Sequence, residues 1–188
     1  FAKSIMTTDT FPKEIAVTTV IDGRKVTLGG VAKGVGMIHP NMATMLCFIS
    51  TDVEIEAGIL QETLNEAVDT SFNMISVDGE QSTNDTVLAF ANGASGISIG
   101  HDESNEDGYS TGYIRFQEAL TYICVELAKQ MAKDGEGSER LIEVNVEKAR
   151  TIDDARKAAK TIVSSSLVKS MIHGRDPNWG RVMVALGN

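Results

Sequence analysis

Two hydrophobic rhythms alternate along the chain. Residues 15–20 and 25–28 are short β-prone stretches flanking Asp22-Gly23, a favoured tight-turn pair, so they predict a β-hairpin. Residues 44–51 (TMLCFIST) are apolar and short, which suits a buried strand, and residues 87–91 predict another strand that ends at Asn92-Gly93. Between them Ile59, Leu60, Leu64, Ala67, Val68 and Phe72 recur at steps of one, three and four, the signature of an amphipathic helix over 56–72. Ile114, Leu120, Ile123, Leu127 and Met131 mark a long helix that stops before Asp134-Gly135. Beyond it, 141–146 reads as a strand, 153–163 as a helix and 167–172 as a shorter helix. Residues 78–86 and the acidic 101–108 have no apolar period and read as loops. Strands alternating with helices imply a layered α/β (α+β) fold in a single region, 1–188, with no repeat.

Composition fits that picture. With 188 residues, 42% apolar and 23% charged, the chain can bury roughly 70% of its unfolded surface without disulfide or metal. A net charge of −9 argues against nucleic acid or an anionic membrane as partner, though it leaves room for a small anion on one cation. Cys47 and Cys124 are far apart, outside any CxxC pattern, and read as two reduced, packed thiols. No apolar run approaches the ~20 residues of a membrane span, and the opening FAKSIMTTDT lacks a signal peptide's apolar stretch, so the expected compartment is the cytoplasm.

The glycine-rich segment GGVAKGVG (29–36) reads as a flexible loop, but it fits neither phosphate-binding pattern: no Lys-Ser or Lys-Thr follows GxxxxG, and GxGxxG lacks its last glycine. That leaves Lys33 as a cation among small residues, which alone reads as an exposed loop lysine. Downstream, Ala43 precedes Thr44 at the mouth of the predicted strand. Taken alone, Thr44 is an ordinary strand threonine. A second chemistry is open to it, because a threonine after a strained, glycine-preceded loop can attack its own upstream carbonyl and emerge as an N-terminal nucleophile. The freed α-amino group, with a reference pKa of about 7.7 to 8.0, then serves as general base for the same residue's hydroxyl. His39 is a rival base, five residues away. Asp78, Glu80 and Asp85 lack calcium-loop spacing and read as a turn whose side chains satisfy backbone groups, so no metal site is expected. Trp179 and Arg181 in DPNWGR read as a packed corner, with a binding wall as the second reading.

Five blocks in order, MTTDT (6–10), GGVAKGVGMIHPNMATML (29–46), SVDGEQSTNDT (76–86), DGEG (134–137) and DPNWGR (176–181), resemble the ornithine acetyltransferase family of arginine biosynthesis, also called glutamate N-acetyltransferase. The resemblance implies an incomplete N-terminal-nucleophile-type acetyltransferase fold, self-cleaved between Ala43 and Thr44. Residues 1–43 would be the C-terminal part of an α chain and 44–188 the N-terminal part of a β chain, with two of each in the assembled enzyme. It implies acetyl transfer from N2-acetyl-L-ornithine to L-glutamate through an acetyl-threonine on Thr44, without a cofactor, acetyl-CoA serving some members as co-substrate. Thr44 and Glu136 would be catalytic, and Thr7, Lys33, Thr44 and Glu136 would contact substrate, with Thr8 the neighbour next in line to Thr7. An acylated amino acid needs a cation for its carboxylate, which Lys33 supplies. An amine needs a carboxylate, which Glu136 supplies, along with a proton shuttle if its pKa is suitably raised. Without the resemblance, Glu136 reads as a solvated turn residue.

The family's members are longer. Their Thr-Gly oxyanion pair would lie upstream of residue 1 and further substrate contacts beyond Asn188. Since an oxyanion donor is worth ~3 to 4 kcal/mol of barrier, the isolated chain is expected to be a feeble catalyst or none. Two other readings share these residues: a self-processing amidase or aminopeptidase with water as acceptor, and a non-catalytic assembly domain. An analogue acting in secondary metabolism would use the same blocks.

Overall fold

The computed structural model describes residues 1–38, 45–80, 84–100 and 109–187. The acidic segment 101–108, the Ala43–Thr44 pair and His39 lie outside these. The hairpin forms as β1 (Lys13–Ile21) and β2 (Arg24–Lys33), antiparallel from Lys13 opposite Ala32 to Ile21 opposite Arg24. β2 continues through Gly29 and Gly30 to Lys33, so the first half of the glycine-rich segment is strand rather than loop. The ladders to β1 and to β3 (Leu46–Thr51) hold its backbone on both sides, which outweighs the weak strand preference of glycine. Gly30 has a packing reason: a Cβ there would lie 2.8 Å from both Ile123 and Leu127 of the helix that crosses this face.

After β3 comes a two-residue strand, β4 (Glu54–Ile55), and then α1 (Ala57–Asp69). The helix ends three residues earlier than its apolar period suggests. Thr70 and Ser71 turn their hydroxyls back onto the carbonyls of Glu66 and Ala67, and a 3-10 turn at Phe72–Met74 follows. The chain returns as β5 (Thr86–Ala91), parallel to β3, giving the sheet order β1-β2-β3-β5. β6 (Ser98–Ile99) pairs in parallel with β4, a short second sheet that the sequence did not reveal.

α2 (Thr111–Lys133) is the spine of the core. Ser110 caps it by accepting from the Tyr113 amide. Its buried stripe of Phe116, Leu120, Ile123, Leu127 and Met131 packs on the inward face of the sheet, against Leu28, Ala32, Cys47 and Ile49. Each such side chain contributes roughly 1.5 to 3 kcal/mol on burial. Cys47 and Cys124 are both free and fully buried in this layer. Burial pushes the Cys124 thiol up to about 12, against a hydrogen bond with Ser71, and raises Cys47 as well, so both are inert hydrophobes.

A second, smaller core joins α3 (Ile152–Ser164), α4 (Ser166–His173) and α5 (Gly180–Leu186) through Ile162, Val168, Met171 and Ala185. The first two match their predicted positions, whereas α5 was not foreseen. Trp179, read as part of a packed corner, is 75% exposed. Arg181 does make a corner, donating to the Leu167 carbonyl at 3.2 Å. Residues 141–146 form no strand. Ile142, Val144 and Val146 are half-buried while Leu141, Glu143 and Asn145 are exposed, so the period of two is real. No strand among the described residues pairs with it, and alternation reports a face without supplying a partner. Among the described residues no helix is long and apolar enough to cross a membrane.

Candidate active site

The site-bearing blocks meet at one end of the main sheet. Lys33 is the last residue of β2, opposite Leu46, which in turn pairs with Thr86 at the start of β5. It is half-buried at a strand end, not the exposed loop lysine read from its neighbours. Lys13, the first residue of β1, lies opposite Ala32 at the same end, and α2 delivers Asp134 and then Glu136 there.

Thr7, Thr8 and Glu136 are exposed. Thr8, the second choice in MTTDT, is the one that reaches Glu136: its hydroxyl donates to Oε1 at 3.4 Å. The Thr7 amide donates instead to Asp9 Oδ2 at 3.1 Å. A Cβ on Gly36 would stand 3.4 Å from the Glu136 carboxyl and 3.6 Å from Asp78 Oδ2, ordinary contact distances, so this turn lies against both carboxylates. The Thr7–Thr8 segment and Glu136 thus meet at this edge, and Gly34, the residue after Lys33, joins them there through its amide on Asp9. Thr44, the fourth candidate, and its neighbour Ala43 are not among the described residues.

Their flanks are described, and each is tethered by an aspartate of SVDGEQSTNDT. On one side Asp78 accepts the amides of Met37 at 2.5 Å and Ile38 at 3.1 Å, as well as that of Glu80. Met37 sits at a φ of +53°, a conformation that costs a non-glycine residue energy and needs such support. On the other side Asp85 Oδ1 accepts the Met45 amide at 2.7 Å. The reading of these aspartates as backbone-satisfying turn residues therefore holds. Among the described residues Asp85 Oδ2 has no hydrogen-bond partner, and it is buried beside a cavity of about 470 Å³ between α1 and the start of β5. Burial lifts this carboxyl to about 6, while the Met45 amide and the charge of Lys33 pull the other way.

Behind Glu136 a second cavity, of about 290 Å³, is lined by Val77, Arg140, Leu141, Lys169 and His173. Lys169 donates to the Val77 carbonyl at 2.7 Å, and burial lowers its pKa against the charge of Asp78.

Beneath the site lies an ionic cluster that the sequence reading missed. The Lys13 ammonium, fully buried, is 2.5 Å from Asp9 Oδ1 and 2.6 Å from Asp134 Oδ2. Asp9 also accepts the Gly34 amide at 2.9 Å, and Asp134 accepts both the amide and the hydroxyl of Thr10. One signal was available: Lys13 falls on the inward phase of the period-two pattern Lys13, Ile15, Val17, Thr19, Ile21, where a lysine is buried only if paired.

Burial alone would raise the Asp9 and Asp134 carboxyls. The hydrogen bonds from Lys13 and from the Gly34, Thr7 and Thr10 groups, with the lysine charge, outweigh it and hold both below the ordinary 3.8. Folded values lowered in this way add stability that is complete above the unfolded value near 3.8 and is lost as pH falls through the folded values. Thr10→Val removes one donor to Asp134, so its acid-unfolding midpoint, followed by circular dichroism, should move to higher pH. An unmoved midpoint would remove the cluster from the acid response.

The model of the ArgJ family matches residues 1–188, the entire chain. The chain belongs to the ArgJ family. Among ArgJ relatives, it is 54% identical over 188 residues to the glutamate N-acetyltransferase of Methanocaldococcus jannaschii, covering 99% of this chain and 44% of that protein. It is 53% identical over 189 residues to the arginine biosynthesis bifunctional protein ArgJ of Symbiobacterium thermophilum, covering 99% and 45%. The chain therefore spans less than half the length of these curated relatives. The crystal structure of the arginine biosynthesis bifunctional protein ArgJ from Bacillus halodurans matches with a TM-score of 0.67 at 42% identity, over 74% of this chain and 63% of that one. The layered α/β architecture is thus that of a solved ArgJ-family structure, in part.

Proposed function

We propose that these residues belong to a glutamate N-acetyltransferase that carries acetyl from N2-acetyl-L-ornithine to L-glutamate on Thr44. The observation that carries the reading is the convergence, in an ArgJ-family chain, of Lys33, the Thr7–Thr8 segment and Glu136 at the sheet end where Leu46 begins β3, two residues after Thr44. Self-cleavage comes first: the Thr44 hydroxyl attacks the Ala43 carbonyl, the peptide bond becomes an ester, and water releases residues 1–43 from a chain that now begins with Thr44. In each later turnover the Thr44 α-amine takes the hydroxyl proton as the oxygen attacks the acetyl carbonyl. Ornithine leaves with a proton, and the glutamate amine attacks the resulting ester.

Lys33 meets the substrate carboxylate, and Glu136 meets the amine and moves its proton, with Thr7 or Thr8 completing the contact. The acetyl group rides on the protein itself, so no metal or cofactor takes part. The α and β chains assemble two and two, in the cytoplasm.

The test uses the full-length protein with N-acetylornithine, with and without glutamate. Sustained ornithine release should require glutamate, leaving a single burst without it. Release indifferent to glutamate would establish water as the acceptor and an amidase in its place. A parallel arm with acetyl-CoA and glutamate alone tells whether that donor is accepted too.

A further inference from the structure

We propose that Lys13 is a positioning residue for the acyl-transfer site, its buried ammonium joining Asp9 and Asp134 into one unit that holds the Thr7–Thr8 segment, the Lys33–Gly34 segment and the Glu136 loop together. The inference rests on the acetyltransferase reading above. Each of those three segments is bound to the cluster directly or within two residues. Asp9 takes the Thr7 and Gly34 amides, Gly34 follows Lys33, and Asp134 stands two residues before Glu136. The segments are far apart in sequence, 121 residues separating Lys13 from Asp134.

A fully buried ion triad is a poor way to gain stability, because desolvating the charges offsets their attraction and apolar packing often does as well. Short charge-assisted hydrogen bonds do something apolar packing does not, which is to fix directions and separations. The triad also has one more negative than positive charge. Both carboxylates lie within 2.6 Å of the same nitrogen, so without the ammonium they face each other unscreened. The Phe11 ring, 5.0 Å from Nζ, closes the remaining side. Lys13 touches no substrate in this account. It acts through the groups it holds.

Two variants of the full-length, processed protein test this. Lys13→Met removes the cation at similar volume. Asp9→Asn with Lys13→Met removes one charge of each sign, so the cluster keeps its net charge and the fold is expected to survive. Each is assayed for thermal midpoint, for the burst of ornithine per cleaved chain, and for the rate constant of that burst.

The expected result for the double variant is an unchanged burst amplitude with a rate constant lower by about 100-fold, the cost of a reacting group displaced by about 1 Å. Lys13→Met should show the same slowing in whatever fraction folds. An amplitude reduced in proportion to unfolded protein with a normal rate constant would overturn the proposal, as would no change in either. Loss of the fold in the double variant would also overturn it, by assigning the cluster to stability alone. A parent protein that gives no burst contradicts the acetyltransferase reading itself, which keeps the two failures apart.

Discussion

Replacing Thr44 by alanine is expected to leave the full-length precursor as one uncut chain that releases no ornithine. Two reactions depend on the same oxygen. Self-cleavage needs it to attack the Ala43 carbonyl, and acetyl transfer needs it again once its own α-amine is free to act as base. Alanine has no hydroxyl for either step and, uncut, no free amine at position 44. The fall in turnover should approach roughly 10⁶-fold, the scale of losing the nucleophile from a hydrolase that works through an acyl-enzyme. The fold should be indifferent, because the flanks of the segment are held by Asp78 on Met37 and Ile38 and by Asp85 on Met45, none of which involves the substituted side chain. Thr44→Ser, which keeps the hydroxyl, should cut itself. Intact mass and a thermal melt check both variants. A cut Thr44→Ala chain would remove the nucleophile from this residue.

Glu136→Gln should have the next largest effect and a different pattern. Glu136 is exposed and accepts from Thr8, with the Gly36 turn against its carboxyl. Glutamine keeps the shape and the acceptor oxygen but loses the charge and the ability to exchange a proton with a leaving or attacking amine. General acid–base groups typically contribute 10² to 10⁴, so kcat should fall by at least about 100-fold, with a weaker hold on glutamate seen as a higher KM. Self-cleavage should proceed normally, because no amino-acid substrate is present in that step. Steady-state rates at varied glutamate, set beside the mass of the purified chain, read both. An unchanged kcat would return Glu136 to a solvated turn residue.

Periodicity carried the elements that pack on themselves or on a near neighbour. The stripes of α1 and α2 and the turn at Asp22-Gly23 are local, so their pattern alone located them. It failed where a distant partner decides the outcome. Gly29 and Gly30 read as loop because their own preference is weak, yet two ladders make them strand. Residues 141–146 read as strand because they alternate, yet no strand among the described residues pairs with them.

The candidate site divides in the same way. Its residue types and their blocks were legible, and the family they point to matches the entire chain. Which threonine of MTTDT faces Glu136 was not legible, since a single bond between side chains 128 residues apart settles it. The cluster of Lys13, Asp9 and Asp134 left only a faint trace, the inward phase of Lys13, for a related reason. Two of its members lie inside quoted blocks, but a lysine at a strand's first position looks solvated until the carboxylates that neutralise it are brought up from elsewhere.

The central claim, that Thr44 carries the acetyl group, is tested most directly by trapping it. The full-length, self-cleaved protein is incubated with N-acetylornithine in the absence of glutamate, quenched in acid, digested and examined by mass spectrometry for the peptide that begins at Thr44. The account predicts an acetyl ester on the Thr44 side-chain oxygen that disappears when glutamate is added before the quench. A Thr44 peptide that never carries acetyl, while ornithine and acetylglutamate accumulate, would contradict it.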